Sequence, residues 1–289
     1  GKTASRLTPA ELVGAILKAP VDLLYNGGIG TYVKSSRETH ADVGDRANDA
    51  VRINGAELRC KVIGEGGNLG LTQLGRVEAA LAGVRLYTDA IDNSAGVDTS
   101  DHEVNIKILL GLPIADGELT EKQRNALLVE MTDEVAQLVL RDNYFQTQVL
   151  STAGRTGGRL LEHQQRFIRF LEKEGRLNRA LEYLPSDEEI AERRAQGVAL
   201  TGPERAVLLA YSKMWLFEAL LDSDLPEDPW VAAALVRYFP PRLHREFAGD
   251  IARHPENVRI PGLLIIRLDA PLYFLNANVA RGQILDLVL

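Results

Sequence analysis

Three loops carry the residues whose types and spacing could do chemistry. The first is Asn26-Gly27-Gly28-Ile29-Gly30-Thr31-Tyr32, and the second runs from Gly64-Glu65-Gly66-Gly67-Asn68 to Leu69-Gly70-Leu71-Thr72. Glycines let a backbone take positive φ and bring its amides close to a ligand, and successive amides suit an anion. Neither loop is a G-x-G-x-x-G fingerprint, because Val33 and Leu69 stand where the third glycine should be. Taken alone, the first loop reads as a glycine turn after a strand. The second joins a strand to a helix and leaves two readings open. Its amides could face an anion or a ribose, or it could be a tight turn with Asn68 bonding its own backbone.

The third and most polar loop spans Asp92-Asn93-Ser94-Ala95-Gly96 to Ser100-Asp101-His102-Glu103. Ser100 and Glu103 have capping-box spacing, so Ser100 reads first as a helix cap; a hydroxyl at a helix N-terminus also suits a substrate carboxylate. His102 reads as a structural first-turn histidine. Asp89, Asp92, Asp98 and Asp101 read as solvated loop carboxylates rather than a cation site.

The elements that must position these loops alternate over the first hundred residues. Thr8-Pro9-Ala10-Glu11 starts a helix to about Lys18. Apolar runs at Val21–Tyr25, Cys60–Ile63 and Val84–Tyr87 predict three strands, with a helix over about Thr72–Leu81 ended by Gly83. Strands alternating with helices predict a parallel sheet, and ligands bind such sheets at the carboxyl ends of the strands. Beyond about residue 100 the pattern turns helical, with capping-box spacing at Thr120, Ser186 and Thr201. The Gly/Thr-rich stretch Ser151–Gly158 reads as a hinge between helices. The end changes again: Gly262–Leu268 and Pro271–Leu275 read as strands and a closing helix is expected from about Val279.

Composition bounds the function classes. The 289 residues carry 33 Lys+Arg against 40 Asp+Glu, a net charge of −7. That balance argues against a binder of nucleic-acid phosphates. One cysteine, Cys60, permits no internal disulfide, and five histidines with it offer no zinc-type cluster. No apolar run approaches a membrane span. With Gly1 rather than methionine first, the chain reads as a piece of something longer and is expected in the cytoplasm.

With all three loops in view, the chain resembles the large bacterial NAD-specific glutamate dehydrogenases over about residues 1–250. The resemblance is carried by VDLLYNGGIGTYVK, KVIGEGGNLGLTQLGR and DAIDNSAGVDTSDHEVNIKILL, and further on by LVLRDNYFQTQ and LLAYSKMWLFEALLDSDLP. It implies an α/β fold followed by mostly α structure. Residues 1–110 would be the C-terminal half of a Rossmann-type NAD-binding domain and 111–252 a helical C-terminal domain. It implies cofactor contacts for Asn26, Gly27, Gly28, Gly66, Gly67, Asn68 and Asn93. Asn93 also matches a substrate contact, and Ser100 a serine that holds the distal carboxylate of glutamate. The implied reaction is oxidative deamination of L-glutamate to 2-oxoglutarate and ammonia, in a homo-oligomeric parent. The family's water-activating lysine and proton-shuttling aspartate match nothing here, so the chain by itself is expected to be inactive.

Residues 253–289 depart from that family. PGLLIIRLDAPLYFLNANVARGQIL resembles the start of the STAS domain of SulP-type anion transporters, which places a junction near Ile251–His254, from a fusion or an assembly artefact. Two other readings therefore stand beside the enzyme: a non-catalytic helical regulatory module, and a STAS-like regulatory segment of an anion transporter.

Overall fold

The computed structural model describes residues 6–225, 228 and 236–244. The readings for the tail from 253 onward, strands and STAS resemblance alike, lie outside the described residues. In chain order the helices are α1 (Pro9–Leu17), α2 (His40–Val43), α3 (Gln73–Leu81), α4 (Asp89–Asp92), α5 (Ser94–Ala115), α6 (Glu121–Glu130), α7 (Thr132–Thr156), α8 (Leu161–Lys173), α9 (Asp187–Ala195) and α10 (Gly202–Leu221). The strands are β1 (Leu23–Asn26), β2 (Val33–Lys34), β3 (Ile53–Asn54) and β4 (Val62–Glu65). Among the described residues the strands thus lie between Leu23 and Glu65, interleaved with short helices, and the elements that follow are helical.

The residues form two compact units. One comprises the described residues up to 94 together with 147–212; the other comprises 95–146 with the described residues from 213 on. This partition interleaves the chain.

In the first unit β1 pairs in parallel with β4, Leu23 opposite Val62 through Asn26 opposite Glu65, and β2 pairs in parallel with β3. Parallel strands need a crossover, and here the crossover is the long connection holding α2, β2 and β3. Beneath the sheet lies a core of Val33, Ile53, Leu58, Cys60, Ile63, Leu71, Ala79, Val84 and Leu86. The expected third strand at Val84–Tyr87 does not form. Only Arg85 makes a parallel bridge, to Val62. The chain leaves the sheet directly afterwards, because Tyr87 packs with Ile91, Leu150 and Ala206 and its hydroxyl meets Ser151 Oγ at 3.0 Å.

Local signals account for most helix ends. Thr8, Thr120 and Ser186 each accept the amide three residues on, while Glu11, Gln123 and Glu189 reach back, completing the boxes that their spacing predicts. Thr201 and Glu204 bond in the same reciprocal way ahead of α10. Gly83 follows α3 at φ +99°, a conformation that glycine adopts without penalty. The Ser151–Gly158 hinge needs correction: α7 runs unbroken to Thr156, and the chain turns only at Gly157, φ +60°.

The second unit packs Ile106, Leu110, Leu127, Met131, Tyr238, Phe239 and Leu243 together. That burial explains another correction. The polar loop expected through Ser100 is helical from Ser94, since α5 must present His102, Asn105, Ile106 and Leu110 to this core. Tertiary packing outweighs the poor helix propensities of Gly96, Asp98, Thr99 and Ser100.

Candidate functional site

The carboxyl ends of β1 and β4 run directly into the two glycine loops. Gly67 N–H donates to the Asn26 carbonyl at 3.0 Å, and Gly28 N–H donates to Asn26 Oδ1 at 3.3 Å. The loops touch so closely that side chains would not fit between them. A Cβ on Gly67 would lie 2.3 Å from the Gly28 carbonyl oxygen, and one on Gly70 1.9 Å from Asn26 Nδ2. A Cβ on Gly66 would strike the Tyr25 hydroxyl at 1.9 Å, whereas Gly28 faces open space. Asn26 Nδ2 is buried and has no hydrogen-bond partner among the described residues. The result is a sheet edge of bare backbone with an unused amide donor beside it.

Asn93 joins this edge from the end of α4, where it caps the helix. Its Nδ2 donates to Asn68 Oδ1 at 2.7 Å. Asn68 therefore does not bond its own backbone, the tight-turn alternative. Of the residues singled out in the sequence, Asn26, Gly27, Gly28, Gly66, Gly67, Asn68 and Asn93 stand together at the ends of β1 and β4.

Ser100 belongs to the other compact unit and is corrected in its local role. It sits inside α5, exposed, and caps nothing. Glu103, its expected box partner, pairs instead with Lys107 one turn on. The neighbouring Thr99 hydroxyl donates to the Ala95 carbonyl at 2.7 Å, the ordinary use of a mid-helix hydroxyl. His102 is also no first-turn residue: it is fully buried and stacks on Tyr238 at 4.4 Å.

The charged groups beneath the loops were not legible as a set. Arg76, on α3, grips Glu65 with two bonds of 2.7 and 2.9 Å and reaches Asp89 Oδ1 at 3.0 Å. Asp89 Oδ2 accepts the Leu69 amide at 2.7 Å, and Asp92 Oδ2 accepts the Glu65 amide at 2.9 Å. Asp89 and Asp92 are thus structural anchors of the second loop and not solvated carboxylates. Burial works against the Arg76 charge, but the bonds and charge of Glu65, then Asp89 and Asp92, outweigh it and raise its pKa. For Asp92 burial dominates: although the Glu65 amide stabilises the carboxylate, its pKa is pushed up to about 6. The available signal was positional. Asp89 and Asp92 lie three apart on one helical turn, and Arg76 interrupts the buried face of α3 between Gly75 and Val77.

One further charged group lies in the second unit. Asp98 and His102 on α5 and Asp142 on α7 each place a ligand atom within 4.8 Å of the others. Arg141 Nε lies 3.6 Å from Asp142, and burial lowers the Lys213 pKa against the opposing charge of Asp98.

Comparison with known proteins finds matching families and relatives. The family described as bacterial NAD-glutamate dehydrogenase, catalytic domain, matches residues 1–153, and glutamate dehydrogenase, C-terminal, matches 197–258. A protein of Pseudomonas aeruginosa named NAD-specific glutamate dehydrogenase is 58% identical over 251 residues, covering 87% of this chain and 16% of that protein. Proteins of the same name from Halomonas elongata and Mycobacterium tuberculosis are 53% and 52% identical, over 88% and 87% of the chain. The chain spans 16% of the length of each of these relatives. Among the described residues no helix is long and apolar enough to cross a membrane.

Proposed function

Because this chain belongs to the bacterial NAD-glutamate dehydrogenase family, we propose that it supplies the cofactor-facing edge of a site that deaminates L-glutamate oxidatively to 2-oxoglutarate and ammonia. The activity would belong to a longer, homo-oligomeric protein of the cytoplasm. The observation that carries this reading is the convergence of both glycine loops with the Asn68–Asn93 pair at the ends of two parallel strands. Ligand sites in α/β sheets lie at that edge.

The residues present fit NAD. Gly28 leaves open space at the loop surface, and Asn26 Nδ2 is a buried donor without a partner among the described residues. In this reading β1 and β4 are part of a larger Rossmann-type sheet. The cofactor, when bound, supplies the hydride acceptor. The chain's own residues bind and orient: the side-chain-free backbone at Gly27, Gly28, Gly66 and Gly67 lets the dinucleotide approach the loops closely, and Asn68 with Asn93 fixes the nicotinamide end. Asn93 also faces substrate, and the exposed Ser100 hydroxyl holds the distal carboxylate of glutamate. The water-activating lysine and proton-shuttling aspartate of the family come from outside these 289 residues.

The test is NADH formation from L-glutamate by the full-length protein carrying this segment, wild type beside Ser100→Ala. The expected outcome is turnover in the wild type and a selective rise in KM for glutamate over that for NAD in the variant. The isolated chain is expected to bind NAD weakly and not to turn over. A folded, full-length wild type without glutamate-dependent NADH formation overturns the proposal.

A further inference from the structure

Leu69 is the point at which the second loop is held against its own preference. Its φ is +56°, in the left-handed region that a branched side chain enters only at a cost. The residue is 63% exposed, so core packing does not impose that conformation. Both of its backbone polar groups are tied instead. The amide donates to Asp89 Oδ2 at 2.7 Å, and the carbonyl accepts from Thr31 Oγ1 at 2.7 Å.

Each tie is itself fixed from behind. The second carboxylate oxygen of Asp89 meets the Arg76 guanidinium at 3.0 Å, and Thr31 N–H donates to Asp45 Oδ2 at 2.9 Å. The next carbonyl, of Gly70, accepts from Tyr32 N–H at 2.9 Å, which joins the first loop to the second. The residue before Leu69 is Asn68, whose amide oxygen meets Asn93. A relaxed, right-handed Leu69 would swing Asn68 away from that partner.

We propose that Asp89 and Thr31 are positioning residues for NAD: acting through Leu69, they hold the second loop so that Asn68 stays on Asn93. This rests on the functional reading above. Neither side chain need touch the dinucleotide, and their effect is carried by the backbone of a single residue.

The experiment is steady-state kinetics of the full-length protein with five variants: Asp89→Ala, Asp89→Asn, Thr31→Val, Leu69→Gly and the double variant Leu69→Gly/Asp89→Ala. Asp89→Ala removes a charged acceptor from the Leu69 amide and is expected to raise KM for NAD about tenfold. KM for glutamate and kcat should stay within about twofold. Asp89→Asn loses the charge facing Arg76 but keeps an acceptor, so it should recover most of the loss. Glycine enters the left-handed region without penalty, so in a Leu69→Gly background Asp89→Ala should cost less than about threefold.

Thr31→Val is expected to show the same selective rise in KM for NAD, and it decides the matter if Asp89→Ala does not fold. An inactive wild type would sink the functional reading itself. An active wild type with KM for NAD unmoved in both Asp89→Ala and Thr31→Val overturns the positioning role and leaves that reading intact. A loss spread equally over NAD, glutamate and kcat, undiminished by Leu69→Gly, also overturns it, because it marks a merely structural role.

Discussion

Asp92→Asn is expected to make the protein more stable at neutral pH although it removes a native charge. Burial raises the Asp92 pKa from the ordinary 3.8 to about 6. At about 1.36 kcal/mol per pH unit that difference amounts to roughly 3 kcal/mol. The sign follows from which state binds protons. Between pH 3.8 and 6 the folded protein holds a proton that the unfolded chain has released, so raising the pH favours unfolding. The cost is absent below pH 3.8 and fully present above pH 6. Asparagine does not titrate and keeps an oxygen to accept the Glu65 amide, which Asp92 now binds at 2.9 Å. The stability difference between variant and wild type should therefore open from pH 4 to 6 and level off near 3 kcal/mol above it. Urea unfolding of both proteins at pH 4, 5, 6, 7 and 8 measures this directly. Acid effects of carboxylates remote from Asp92 cancel in the difference. An advantage that is zero at pH 8, or that does not change with pH, refutes the assignment of burial as the dominant influence on Asp92.

Three other outcomes are expected. Gly67→Ala should damage NAD binding more than Gly66→Ala, as read by NADH fluorescence titration. The first meets backbone, the Gly28 carbonyl, whereas the second meets the end of the exposed Tyr25 side chain, which can swing aside. Arg76→Met should destabilise by about 3–5 kcal/mol in chemical unfolding, because Glu65 would be left buried and unpaired at 1% exposure. Ser100→Ala should leave stability within about 0.5 kcal/mol, since an exposed mid-helix serine caps nothing, so any kinetic effect would belong to substrate contact.

How much of this was legible in the sequence depends on the range of the interactions. Capping boxes at Thr8, Thr120 and Ser186 are local, and their three-residue spacing states both partners, so the corresponding helix starts could be read directly. β1 and β4 were equally legible, because an apolar run ended by glycines is its own signal. The third loop failed for the opposite reason. Ser100 and Glu103 have the spacing of a cap, but Leu110 and Ile106, packed against Phe239 and Leu243 far along the chain, extend α5 back to Ser94. A pattern that is satisfied locally loses when distant packing outweighs it.

The candidate site divides along the same line. Its glycines and asparagines announce themselves by type, because a bare backbone edge can be made from few other residues. The groups that shape the edge do not. Asp89, Asp92 and Arg76 look like ordinary surface charges in a string of letters, and only the fold brings them under the loop, twenty residues from Leu69 in the case of Asp89. The loop lacks the final fingerprint glycine, with Leu69 in its place, and the left-handed turn persists there because two side chains hold both ends of one peptide residue. The departure from the glycine pattern and the hidden charge cluster are thus one fact. A residue ill-suited to its conformation requires ties that a glycine would not. Replacing Leu69 by glycine should correspondingly make the turn insensitive to the loss of either tie.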